Sequence, residues 1–441
     1  MGEKLDSLKV DLVIEGNVYL RGSLVRASIG VDQGKIVSIS KPSLAPIAER
    51  RISYGDKYLI LPGMVDIHVH MREPGLEYKE DWASGSRAAI KGGVTTVFDM
   101  PNNKPRINSC ERLKEKIRLA SSKSLVDFGL YMGLPDDPSS INDCKDLYVG
   151  FKIYPEDYAK EELREVFQIA RNLDKIVVIH PEDPALLLSV VSMDYSNVRP
   201  PEAEISAVKR MLKYAAEMKV WIHFTHVSTA MSVREILKAK LRTLKITFDV
   251  TPHHMLLNSK LYKGKWAKIA KVNPPLRSEA DRAVIYRTAE SMFADAIASD
   301  HAPHALKEKL NPNFEDVPPG FPGLETTLHL LLKEIIEGRM ELDTIDLYSS
   351  RPARLFGLRK GEIRIGWSAD FAIVKIGEEW VIKSEDFESK AKYSPFEGWK
   401  LRTKTWDVYL RGELVYSGGE FLREAGGGRL VSQSFNKTLQ S

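Results

Sequence analysis

The chain has 441 residues, 43% of them apolar, enough to bury one or more substantial cores. Its 64 Lys and Arg against 60 Asp and Glu leave +4 spread among charges of both signs, without a basic stripe, zinc-finger spacing or aromatic RNA-binding motif, so no nucleic-acid partner is expected. Two cysteines, Cys110 and Cys144, are too few for a disulfide framework or a thiolate zinc site, and neither a secretory core nor a bilayer-length apolar run is present; a soluble, cytoplasmic globular protein with no membrane contact is expected.

The first 60 residues read as β structure. Leu12-Val13-Ile14, Leu24-Val25, Ala27–Val31 and Lys35-Ile36-Val37 are short apolar or alternating runs, separated by Gly16, Gly22 and Gly34. The middle alternates apolar runs with helical stretches such as Lys160–Asn172 and Glu202–Met218. Eight runs are strand-like: 64–67, 95–98, 126–130, 148–151, 175–179, 220–224, 246–250 and 296–298. Alternating β and α units predict a parallel sheet, and eight units fit an α/β fold of the closed (β/α)8 TIM-barrel type. An open doubly wound sheet is the alternative, but no G-x-G-x-x-G turn follows the early strands. β texture returns at 370–374, 380–382 and 406–410. One discontinuous β domain from residues 1–60 and 356–425 is therefore expected around a barrel of residues 61–355, with two unrelated β appendages as the alternative. Residues 426–441 are expected to form a frayed tail without chemistry.

Groups able to bind metal recur at the ends of the apolar runs. His68 and His70 follow the first barrel strand, Lys152 closes the fourth and His180 the fifth, His226 follows the sixth and Asp300 the eighth. Barrel active sites are assembled at the C-terminal strand ends. Residues i and i+2 of a strand share a side, so His68 and His70 can face one ion. An isolated H-x-H pair is as readily two surface histidines; two further histidines and an aspartate at equivalent positions favour metal. Imidazole and carboxylate without thiolate suit zinc, with manganese, cobalt or iron as alternatives. Four histidines and one aspartate exceed the three protein ligands of an open catalytic zinc, so two metals are expected. Lys152 is either a strand-end lysine in a salt bridge or an amine that has reacted with CO2, whose carbamate could bridge two cations.

These residues sit in segments that carry a family resemblance. The runs Asp66–Gly75 (DIHVHMREPG), Asp99–Asn103 (DMPNN), Gly150–Tyr154 (GFKIY) and His226–Thr229 (HVST) resemble dihydroorotase motifs of the cyclic amidohydrolase superfamily. So do Thr251–His254 (TPHH), Asn273–Arg277 (NPPLR), Ser299–His304 (SDHAPH) and Gly320–Thr326 (GFPGLET). The resemblance implies a composite β-sandwich domain from both chain ends beside a catalytic TIM barrel, and two Zn2+ per chain: one held by His68, His70 and Asp300, the other by His180 and His226, bridged by N6-carboxylated Lys152. Some bacterial dihydroorotases carry aspartate where Lys152 stands. It also implies reversible cyclisation of N-carbamoyl-L-aspartate to (S)-dihydroorotate with release of water, in pyrimidine biosynthesis, with Asp300 as catalytic acid and base.

Both of those molecules keep an α-carboxylate. Arg72, two residues beyond His70, offers a planar fork for it, unless it pairs with Glu73 or Glu77. The resemblance adds Asn102 and His304 as supporting contacts to that group, Asn273 to ring or ureido atoms, and the backbone at Pro319 and Gly320 to the ring amide; a turn role for Asn102 is the alternative. His223, His253, His254 and His301 are expected to be buried, hydrogen-bonded histidines. Arg72 favours dihydroorotase over a hydantoinase or allantoinase, and the full ligand set disfavours a non-catalytic scaffold. A second copy of the chain and aspartate carbamoyltransferase are the protein partners that the resemblance suggests.

Overall fold

The computed structural model describes residues 9–188, 194–242 and 245–431. The N-terminal end forms β1 (Lys9–Leu20), β2 (Ser23–Asp32), β3 (Lys35–Ser40), β4 (Ile47–Ser53) and β5 (Tyr58–Pro62). The barrel strands are β6 (Met64–Val69), β7 (Val94–Asp99), β8 (Asp127–Gly133), β9 (Gly150–Ile153), β10 (Ile176–Ile179), β11 (Ile222–Phe224), β12 (Ile246–Val250) and β13 (Ala296–Ile297). They form one eight-stranded parallel sheet in chain order, each matching a predicted run. The ring is completed beyond β13, where the His70 N–H donates to His301 O at 2.8 Å and Val69 bridges His301. At the C-terminal end, β14 (Phe371–Val381), β15 (Lys400–Leu410), β16 (Glu413–Ser417) and β17 (Glu420–Phe421) join β1–β5 in a nine-stranded, largely antiparallel sheet. The seam between the two chain ends is antiparallel pairing of β5 with β14, with Leu61 opposite Ala372. Leu12, Ile14, Ile29, Val31, Ile60, Phe371, Ile373 and Tyr409 form one apolar core beneath it.

Two details aim the site. Gly150 opens β9, and a Cβ there would lie 2.5 Å from Ile176 O, so glycine permits the close β9–β10 pairing that sets Lys152 beside Val178. On β6 the register with β7 shifts between Asp66 and Val69. Val65 and Ile67 belong to an apolar cluster shared with Phe98, Tyr131, Ile176 and Val178, whereas His68 and His70 sit in the opposite phase. Such an irregularity re-aims side chains at a strand end.

The expectation of fraying from residue 426 fails for the described part of the tail. β9 pairs with β8 only from Tyr131 onward, and the tail fills the edge left open. The Phe128 N–H donates to Arg429 O at 3.0 Å, the Val431 N–H to Phe128 O at 2.8 Å, and the Gly428 N–H to Ser124 O at 2.9 Å. Residues 432–441 of the expected tail lie outside the described residues. The two cysteines, too few for a framework, nevertheless form one staple: Cys110 and Cys144 are disulfide-bonded, 34 residues apart. Reduction, or Cys110→Ser, is expected to lower stability by up to about 4 kcal/mol from loop-closure entropy, measured by denaturant unfolding. An unchanged unfolding midpoint would show that the bridge does not form in solution.

Candidate metal and substrate site

Six buried polar side chains converge at the C-terminal ends of the barrel strands. His68 Nε2 and His70 Nε2 lie 3.2 and 3.3 Å from Asp300 Oδ1. The ligand atoms of these three residues all fall within 4.8 Å of one another. His226 stands next to them, its ring centroid 5.2 Å from His68 and 4.6 Å from His180. Lys152, fully buried on β9, donates from Nζ to Thr225 Oγ1 at 3.0 Å. Burial brings its amine down to about 7, against the pull of Asp249 and Asp300. Burial likewise pushes Asp300 up to about 7, opposed first by Lys152. His226 and Asp300, like Arg72, have left-handed backbones, with φ of 39°, 47° and 63°. Non-glycine residues held there store backbone strain that the surrounding fold must sustain.

The donor set fits a divalent metal. Asn102 Oδ1 lies 2.7 Å from His70 Nδ1, so the proton of His70 belongs on Nδ1. Burial, and next the charge of Arg72, hold His70 well below its usual range and hence neutral. The lone pair of Nε2 then faces an Asp300 carboxylate oxygen, an arrangement that a cation between them would relieve. His68 Nδ1 and His226 Nδ1 are buried without a hydrogen-bond partner among the described residues. His180 Nε2 meets Glu182 Oε2 at 2.7 Å, which leaves Nδ1 as its lone-pair nitrogen. Glu182 is in turn gripped by Arg199 Nε and a terminal nitrogen, at 2.7–3.1 Å. A carboxylate behind a metal-binding imidazole fixes its tautomer and raises its basicity. Sequence reasoning missed Glu182, although it stands two residues beyond His180; Arg199 had no local signal.

The substrate-side residues divide into two groups. Arg72 and His304 come together: an Arg72 terminal nitrogen lies 3.2 Å from His304 Nε2, and Arg72 Nε donates to Pro303 O at 3.0 Å. Arg72 is 7% exposed and has no carboxylate within ion-pair distance among the described residues. Glu73 instead pairs with Lys123, and Glu77 accepts from the Gly75 N–H, so neither neutralises Arg72. His304 Nε2 also faces Pro319 O at 3.0 Å, while Lys79 Nζ reaches Nδ1 at 2.9 Å. Asn273 is partly buried and accepts from the Tyr195 hydroxyl at 2.8 Å, which leaves its amide nitrogen to donate.

Asn102 and Gly320 already meet protein groups. Asn102 stands behind a metal-ligand candidate, so Asn102→Ala is expected to weaken metal binding about 10–100-fold, read by chelator competition. Unchanged metal affinity with a raised KM would return Asn102 to the substrate. The Gly320 N–H donates to Lys271 O at 2.8 Å and its carbonyl accepts from Lys309 Nζ at 2.9 Å, so that backbone is already engaged. Of the four unassigned histidines, His223 meets Thr247 and Asp249, His254 meets Thr251 and Pro274 O, and His301 Nδ1 accepts from the Gly323 N–H. His253 departs from expectation: its Nε2 is buried without a partner among the described residues.

Residues 59–415 match the amidohydrolase family profile, and the chain belongs to that family. Within it the chain is similar to dihydroorotases. It is 38% identical to the dihydroorotase of Pyrococcus abyssi over 432 residues, 96% of this chain and 99% of that protein. It is 37% identical to the dihydroorotase of Methanothermobacter thermautotrophicus over 423 residues, 92% of this chain and 94% of that one. Among solved structures, the L-hydantoinase (dihydropyrimidinase) of Arthrobacter aurescens matches with a TM-score of 0.89 and 26% identity, covering 96% of this chain and all of that one. No helix among the described residues is long and apolar enough to cross a membrane.

Proposed function

We propose that the protein interconverts N-carbamoyl-L-aspartate and (S)-dihydroorotate, a step of de novo pyrimidine biosynthesis. The observation that carries this is Arg72, a buried guanidinium without a carboxylate partner among the described residues, two residues beyond His70 in the His68–His70–Asp300 cluster. A buried cation needs an anion, and both molecules bring one that survives the reaction.

The binding roles follow from the side chains. Arg72 takes the substrate α-carboxylate through its planar fork, with His304 alongside. Asn273 presents its amide nitrogen to ring or ureido oxygen. His68, His70 and Asp300 would hold one zinc ion, and His180 with His226 a second, with carboxylated Lys152 spanning them. When bound, the ions polarise the amide carbonyl and bring the pKa of water to about 7. Asp300 takes the proton that the attacking water releases and delivers it to the ring nitrogen as the C–N bond breaks. In the synthetic direction Asp300 removes the proton of the ureido nitrogen, which attacks the β-carboxyl and expels water.

A hydantoin-type substrate is favoured by the structural likeness, but hydantoin and allantoin offer Arg72 no carboxylate. Metal-replete protein offered dihydroorotate, hydantoin and allantoin decides. Turnover of dihydroorotate alone supports the proposal; preference for either other ring, or two bound zinc ions without turnover of any, would overturn it. The same activity assigns the protein to the cytoplasm, where a bridge such as Cys110–Cys144 persists chiefly in hyperthermophiles. A second copy of the chain and aspartate carbamoyltransferase are the partners to test by co-sedimentation.

A further inference from the structure

Tyr154 follows Lys152 by two residues at the end of β9, so the two side chains leave the strand on the same side. Lys152 Nζ lies 5.4 Å from the centre of the Tyr154 ring. The phenol oxygen is buried and has no hydrogen-bond partner among the described residues. A buried hydroxyl left unpaired is costly, so its persistence at a site needs a reason. Tyr148, which also carries an unpaired buried hydroxyl, precedes β9 and lies at the opposite end of the barrel. Tyr393, near the same substrate groups, is already engaged with the His304 N–H at 3.0 Å.

The ring of Tyr154 is held from behind. The Arg106 guanidinium sits 5.3 Å from its centre, and Arg106 is fixed by a two-pronged pairing with Asp157, 2.8 Å on one prong. Asp157 also accepts from the Tyr154 N–H at 3.1 Å, tying ring and backbone to one carboxylate. Tyr154 and Arg72 are close enough to interact electrostatically, although Arg106 and Glu156 act on the phenol more strongly. A neutral phenol has one proton to donate, and an anion in the site would accept it.

We propose that the Tyr154 hydroxyl is a further substrate-binding and specificity-determining group, donating a hydrogen bond to the carboxylate that Arg72 holds. The two would grip the carboxylate from different strand ends, Arg72 beyond β6 and Tyr154 beyond β9. The assignment rests on the activity proposed above. It explains why an aromatic residue with a polar tip stands where phenylalanine would pack as well and leave no unpaired oxygen.

The test is Tyr154→Phe, which removes one oxygen atom. KM for dihydroorotate and for N-carbamoyl-L-aspartate is expected to rise about tenfold or more, the scale of a hydrogen bond to a charged group. The value of kcat and the bound metal should stay near wild type. With the methyl ester of dihydroorotate, which lacks the anion, the difference between wild type and variant should largely vanish; a merely structural role would penalise both substrates equally. Wild-type KM in the variant, an equal loss with the ester, a fall in kcat alone, or loss of metal would each overturn the assignment while wild-type turnover of dihydroorotate stands. Absence of that turnover in wild-type protein would refute the proposed activity, and the assignment with it.

Discussion

Lys152→Ala is expected to lose bound metal and turnover together, with kcat falling on the order of 10³-fold or more. Lys152 is fully buried, and its amine reaches a threonine hydroxyl but forms no ion pair among the described residues. As an ammonium it would repel two divalent cations set among four neutral imidazoles. As a carbamate it would instead supply an anion and two oxygen atoms. A short carboxylic acid added to the alanine variant should restore part of both metal content and turnover by taking the place of the carbamate. Bicarbonate should accelerate reactivation of stripped wild-type protein and leave the variant unaffected. A variant that keeps two metal ions and full turnover would make Lys152 a structural residue.

Arg72→Gln is expected to raise KM for dihydroorotate by roughly 10²–10³-fold while leaving metal content unchanged. Breaking a desolvated charge pair costs about 2–5 kcal/mol, and here the uncompensated member would be the substrate carboxylate. Glutamine is shorter than arginine but carries an amide nitrogen where Arg72 Nε donates to Pro303 O, so the loss reports the missing charged fork rather than that backbone contact. The separation from Lys152 is diagnostic: one variant should fail at binding substrate, the other at holding metal. Wild-type kinetics in Arg72→Gln would show that the carboxylate is held elsewhere.

The residues legible in the sequence are those that local rules govern. Eight apolar runs located the barrel strands, and polar residues at their ends nominated His68, His70, Lys152, His180, His226 and Asp300 before any contact was known. What escaped notice depends on partners far along the chain. Glu182 behind His180 needs Arg199 to hold its charge, and Arg199 sits past a segment with no metal-binding pattern. Asp66 lies in the very motif that displays His68, yet its role comes from Tyr348 OH at 2.8 Å and the Ser299 N–H, more than 200 residues away. β4 and β17 were not singled out because their short, largely exposed runs show weak alternation. The phase shift on β6 was invisible for a different reason: a bulge is a property of pairing between two strands, and one strand's sequence carries only half of it.

The seam between β5 and β14 has a consequence for biosynthesis. Leu61 and its partner Ala372 are separated by roughly 300 residues, so at ribosomal rates of about 5–20 residues per second the edge of β5 waits ~15–60 s for its neighbour. All eight barrel strands emerge during that wait, and they can begin to pair while the flanking sheet is half built. The tail strap comes later still, because Leu430 reaches Phe128 only after β14–β17 have been made. A nascent chain therefore presents an open, apolar strand edge for most of its synthesis, and chaperone demand should fall once residues 371–381 have cleared the exit tunnel.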